Sequence, residues 1–191
     1  EYGEDLEDLT PTEMYNTFSA PDDYVLLDTA AVYPGEASAA NGGMSLTIGV
    51  EDPDGGADSV GLYYRAGTYQ ELQFQQDHDI QFDNFTTVSL DVYMPSSNDY
   101  SGTLTKTVAI IIGEASQTAE WWTGHIQYDY TVADADLDKW VTITFDLDSP
   151  TGGAGEYTPY ERTDLDFFAI SIGGGDHTDE GTFYIRNFIF E

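Results

Sequence analysis

The chain has 191 residues with 36 Asp and Glu against 5 Lys and Arg, a formal charge of −31 and no cysteine. That length sets one domain with a sizeable core as the expectation. The charge repels nucleic-acid phosphates and anionic membrane surfaces. The missing thiols exclude disulfides and cysteine-ligated zinc, and no apolar run reaches the roughly 18 residues that a spanning helix needs.

Residues 1–23 are acidic and weakly patterned. Thr12-Glu13-Met14-Tyr15 reads as one helical turn or as linker, so 1–23 is taken as a linker or edge segment. From Tyr24 on, strand-like runs alternate with glycine or acidic turns. The expected strands cover 24–27, 44–50, 60–65, 69–75, 86–94, 107–112, 124–131, 140–147, 167–172 and 182–190. In one, Val88, Leu90, Val92 and Met94 oppose Ser89, Asp91 and Tyr93; in another, Val141, Ile143, Phe145 and Leu147 oppose Thr142, Thr144 and Asp146. A period of two over so many segments predicts half-buried antiparallel strands. The fold class is therefore all-β, a two-sheet antiparallel β-sandwich or jelly roll over 24–191. In 183–190 apolar residues occupy both parities, which requires burial on both faces or a bulge.

Aromatics make up 14% of residues and hydrophobics 40%, unlike an acidic disordered chain. The bases Arg65, Lys106, Lys139, Arg162 and Arg186 are scattered and form no basic run. An acid-rich surface suits salty surroundings that screen its self-repulsion, so a marine or halophilic source is expected. No signal peptide is visible, and the acidic start at Glu1 reads as that of a mature or excised piece.

Three stretches carry a family resemblance. They are Phe85-Thr86-Thr87-Val88-Ser89-Leu90-Asp91-Val92-Tyr93, Lys139-Trp140-Val141-Thr142-Ile143-Thr144-Phe145-Asp146-Leu147, and the end piece from Leu165. The end piece runs from an apolar strand through Gly173-Gly174-Gly175 to Gly181-Thr182-Phe183-Tyr184-Ile185. Together they resemble the β-sandwich, galactose-binding-like carbohydrate-binding modules of secreted polysaccharide-utilisation proteins. The resemblance implies a glycan site on a concave face or at loop tips, a structural calcium, a secreted or cell-surface location and a larger multidomain parent. Many relatives have Asp where this chain has Asn187, which weakens the calcium inference.

A glycan site needs aromatic faces for sugar C–H surfaces, with donors and acceptors for the hydroxyls. Glu120-Trp121-Trp122-Thr123-Gly124-His125-Ile126-Gln127-Tyr128 has that composition. In a strand Trp121 and Trp122 face opposite sides, one to the core and one outward. His125, Gln127 and Asp129 share a polar parity against Ile126, Tyr128 and Tyr130. Both tryptophans serving the core is the plainer alternative. Tyr64, Arg65 and Tyr93 are further candidates, although a surface Arg more often pairs with neighbouring acids. Trp140 reads as a structural strand start.

For calcium, the candidate ligands are Asp52, Asp54 and Asp58 in the turn 51–58, and Asp28 with Asn187 in the family-like position. The plainer reading of 51–58 is an acidic turn. His78 and His177 sit in Asp/His fragments without a zinc spacing. The leading expectation is a noncatalytic module for a neutral polysaccharide, a laminarin-like β-glucan first, with no nucleic acid partner and no membrane insertion. A jelly-roll glycoside hydrolase or polysaccharide lyase, and a calcium-stabilised adhesin, are the alternatives.

Overall fold

A computed structural model describes residues 12–28, 31–33 (backbone only), 44–114, 124–153 and 157–191. Among these residues the chain forms two antiparallel sheets facing each other, the all-β sandwich expected from its alternation. The strands are β1 (Met14–Asn16), β2 (Tyr24–Val25), β3 (Ala31–Tyr33), β4 (Ser45–Val50), β5 (Val60–Arg65), β6 (Glu71–Gln75) and β7 (Thr87–Tyr93). They continue as β8 (Thr107–Gly113), β9 (Ile126–Thr131), β10 (Trp140–Asp146), β11 (Gly152–Gly153), β12 (Phe167–Ile172) and β13 (Gly181–Phe190). No helix among the described residues is long and apolar enough to cross a membrane.

The seven-stranded sheet runs β10-β7-β13-β1-β2, with β5 also on β13 and β4 on β5. The six-stranded sheet runs β11-β9-β8-β12-β6-β3. The inward residues of the two sheets, among them Val88, Leu90, Ile143, Ile110, Phe168 and Ile170, form one continuous core. Burying each such side chain contributes about 1.5–3 kcal/mol.

One expectation is corrected here, and of two alternatives one holds. Residues 14–16 are neither helical turn nor linker: β1 pairs with β13, Met14 opposite Phe190, and Met14 and Phe18 are fully buried. The ambiguity of β13 resolves as a bulge. Its pairing with β7 shifts between Arg186 and Ile189, and Asn187 adopts φ +54°, a left-handed conformation that asparagine tolerates. The extra residue flips the parity, so Phe183 and Ile185 before it and Phe188 and Phe190 after it all reach the core.

Candidate functional site

The outward face of the six-stranded sheet carries a graded surface. On β9 the inward residues Ile126 and Tyr128 belong to the core, so Gln127 and Asp129 project outward, with His125 just before the strand. Their side chains form a ladder: His125 Nε2 lies 3.1 Å from Gln127 Oε1, and Gln127 Nε2 donates to Asp129 Oδ1 at 2.7 Å. The strand start is clamped by Arg162, which donates to the Gly124 carbonyl and forks onto Asp164 at 2.8 and 2.7 Å. On the far side β11 presses close: a Cβ on Gly153 (φ +110°) would meet the His125 carbonyl oxygen at 2.5 Å, so only glycine fits.

Beside the ladder lies an apolar strip that is itself buried, Ile111 and Phe167 being 7% and 6% exposed and Ala169 0%. Ile111, Phe167 and Ala169 form a second small cluster, separate from the core because their parity is opposite to Ile110, Ile112 and Phe168. The register is continuous across four strands, with Gln127 opposite Ile111, Ile111 opposite Ala169, and Ala169 opposite Gln73. On β6, Gln73 Nε2 donates to Glu71 Oε1 at 2.9 Å. Glu71 is 5% exposed, and burial pushes its carboxyl from 4.5 to about 7, while Gln73 and Arg65 pull it back only in part.

That shift has a thermodynamic consequence. A carboxyl whose folded pKa is raised gives stability that is complete below about pH 4.5 and lost as pH rises through about 7. The loss amounts to about 3 kcal/mol. His177 acts oppositely: burial, then Arg65, lowers it from 6.5 to about 4, so its contribution is complete above pH 6.5 and lost on acidification through about 4. Glu71→Gln is expected to gain thermal stability relative to the wild type as pH is raised from 4.5 to 7, with no further gain above. Thermal melts across pH check this, and a constant offset between the two proteins would refute it.

The sequence candidates separate. His125 and Gln127 are on this face. Trp121 and Trp122 lie outside the described residues. Tyr64 and Tyr93 project from the opposite, seven-stranded sheet, where Tyr64 Oη donates to Glu180 at 3.0 Å and the Tyr93 ring packs edge-on against Trp140 and Tyr184. Arg65 does not reach a surface. It is fully buried and donates to Ser171 Oγ (3.1 Å), the Ile172 carbonyl (3.0 Å) and the Gly67 carbonyl (3.0 Å). It crosses from β5 to β12 and ties the two sheets together.

Two of the proposed calcium ligands, Asp52 and Asn187, are already engaged by other side chains. Asp52 is buried and accepts from Trp140 Nε1 (2.9 Å), the Asp54 amide (2.8 Å) and Arg186 Nη1 (3.2 Å). Asn187 Nδ2 donates to Asp91 Oδ2 (3.0 Å), which also takes Arg186 Nε (3.1 Å). Asp28, Asp54 and Asp58 are exposed, and no group of three ligand-type side chains converges among the described residues. The one buried carboxylate of the proposed ligands, Asp52, is neutralised by Arg186. The network on the outer face of the seven-stranded sheet, completed by the Arg186 guanidinium 4.1 Å from the centre of the Trp140 ring, is structural.

All five basic residues are engaged within the protein. Besides Arg65, Arg162 and Arg186, Lys106 pairs with Asp134 at 2.5 Å and Lys139 donates to the Ala135 carbonyl at 2.6 Å.

No family model matches the chain, and no curated protein matches it. Among solved structures it is similar to the family 11 carbohydrate-binding module from Clostridium thermocellum determined with a β-1,3-1,4-mixed-linked tetrasaccharide. That match has 15% identity and a TM-score of 0.53, over 93% of this chain and 94% of that one. It is also similar to an exo-β-agarase at 7% identity and a TM-score of 0.51, over 78% of this chain but 22% of the enzyme. The chain thus has the β-sandwich fold of carbohydrate-binding modules.

Proposed function

We propose that the outward face of the six-stranded sheet binds a neutral polysaccharide, a β-glucan, and that the chain is a noncatalytic module of a larger secreted or surface protein. The observation that carries the reading is the His125–Gln127–Asp129 ladder, a row of half-buried hydrogen-bonding side chains on the outward face. Such a row suits sugar hydroxyls, which both donate and accept hydrogen bonds. The absence of an unengaged base, together with the charge of −31, argues against uronate or sulfated ligands. The family 11 likeness supports a β-glucan by analogy of fold alone.

Glu71, an acid that holds its proton near neutrality, favours a hydrolase as the second reading. Its partner on this face would be Asp129, three strand spacings away across β8 and β12, about 14 Å. Hydrolysis needs about 5–10 Å between carboxylates, so this spacing favours binding.

The test is affinity electrophoresis against laminarin, mixed-linkage β-glucan, xylan, mannan, agarose and alginate. Retardation by a β-glucan and not by alginate is expected. Gln127→Ala should weaken it at least about tenfold, because the ladder loses its middle rung. Retardation by no glycan, or by alginate alone, overturns the reading. Release of reducing ends would favour the hydrolase.

A further inference from the structure

The outermost strands of an open sheet present unpaired backbone groups, and proteins protect them from pairing with other chains. Among the described residues the end strands differ in that protection. β2 and β11 have two residues each and β3 has three, too few to offer a ladder. β4 has six, but its pairing with β5 shifts between Thr47 and Val50, and the Gly49 amide is taken by the Phe18 carbonyl at 3.2 Å. β10 has none of these devices. It ends the seven-stranded sheet and pairs with β7 without a shift over all seven residues, Trp140 to Asp146. It contains neither proline nor glycine, and its inward residues Val141, Ile143 and Phe145 are apolar.

The ladder fixes which groups β10 offers. Just past the strand, the Leu147 amide donates to the Thr86 carbonyl at 3.0 Å, on the β7 side. Backbone direction alternates along an antiparallel strand, so Phe145, Ile143 and Val141 also turn to β7. Thr142 and Thr144 therefore turn their N–H and C=O groups to the open side, where no backbone bond reaches either among the described residues. Both are exposed and β-branched, which suits an extended strand. The flanks set the kind of occupant. Asp136 and Asp138 precede the strand and Asp146 and Asp148 close it; Lys139, which donates to the Ala135 carbonyl at 2.6 Å, offsets one of these charges. A second copy pairing antiparallel about Ile143 would set Asp138 opposite Asp148 at both ends, and about Thr142 it would set Asp138 opposite Asp146. Like charges directly opposite are destabilising. The aspartates thus disfavour self-pairing and favour a cationic partner, as does the charge of −31.

We propose that the open edge of β10 is a docking site for a basic, extended segment of another protein, which adds to the seven-stranded sheet as a further strand. The segment bonds Thr142 and Thr144 through its backbone, and lysine or arginine side chains near its ends pair with the flanking aspartates. This edge belongs to the sheet opposite the proposed glycan face, and the proposal does not rest on glycan binding.

The experiment is amide hydrogen exchange, read residue by residue by NMR at low salt, with three short peptides at millimolar concentration. One alternates threonine and valine with lysine at both ends. The second carries glutamate at the ends instead. The third is the lysine peptide with its backbone N-methylated, which blocks strand pairing by bulk and by loss of donors. The Thr142 and Thr144 amides are expected to exchange fast in the free protein and at least about tenfold slower with the lysine peptide. The other two peptides should protect neither. Thr144→Pro removes one outward N–H and no bond to β7, so it should abolish the protection of Thr142; if that variant melts below the wild type, the N-methylated peptide makes the same test. Protection by the N-methylated peptide overturns the proposal, because charge alone would then hold the segment. Slow exchange at both threonines in the free protein overturns it by showing the edge already covered, and protection that grows with protein concentration assigns the edge to a second copy instead. No protection by the lysine peptide overturns it outright.

Discussion

Phe190→Ala is expected to cost about 3–5 kcal/mol of stability. Phe190 sits where four aromatic rings converge: its ring centroid is 6.0 Å from Phe82, 6.0 Å from Phe85, 5.1 Å from Phe168 and 5.4 Å from Phe188. Phe82 and Phe85 come from the turn before β7, Phe168 from the six-stranded sheet and Phe188 from β13 itself, so the ring joins both layers. Most of these contacts are tilted or edge-on, the geometry that adds to simple area burial. Its backbone pairs with Met14 on one side and Val88 on the other, which limits how far the surroundings can collapse into the cavity. A domain of ordinary stability has about 5–15 kcal/mol in total, so this one truncation removes a large share. Urea denaturation should show a lower midpoint at unchanged slope, and a loss under about 1 kcal/mol would contradict the packing described.

Arg65→Met is expected to cost about 1–3 kcal/mol, by a different route. Methionine keeps much of the volume but leaves Ser171 Oγ and the Ile172 and Gly67 carbonyls without their donor. The nearby positive charge that restrains Glu71 also disappears, so the Glu71 carboxyl should move above about 7 and the alkaline loss of stability should shift upward with it. Binding by the folded variant should match the wild type, because the guanidinium is fully buried. A selective loss of glycan affinity with normal stability would return Arg65 to the role its sequence suggests.

Strands with a long regular period were legible. Val60–Arg65 and Phe167–Ile172 begin and end where their alternation or apolar run does, and the polar parity of His125, Gln127 and Asp129 marks the face they line. β1, β3 and β11 were not, because two or three residues cannot display a period; β1 exists through its pairing with β13. The β13 bulge left a trace in its doubled apolar parity, although the position of the flip depends on Asn187. Arg65 misled because guanidinium groups usually stay in water; here two buried oxygens at the end of β12, with the nearby Gly67 carbonyl, hold it. Asp52 misled in the same manner: the turn chemistry of 51–58 is visible in sequence, whereas Trp140 and Arg186 come from far along the chain. Glu71 had a signal in the alternation Glu71-Leu72-Gln73-Phe74-Gln75, which sets its side chain opposite the core, but nothing local announces that it is covered.

The place of β13 governs the order of assembly. It lies between β7 on one side and β5 and β1 on the other, yet follows all three in the chain. Until it is synthesised, β7 and β5 have no common neighbour and β1 has lost its longer partner, so their edges stay open to other chains. The seven-stranded sheet therefore closes late and by long-range pairing, a topology that folds slowly. A nascent chain halted before Gly181 should be open to proteases and prone to self-association, and protection should arrive in one step when the last strand docks.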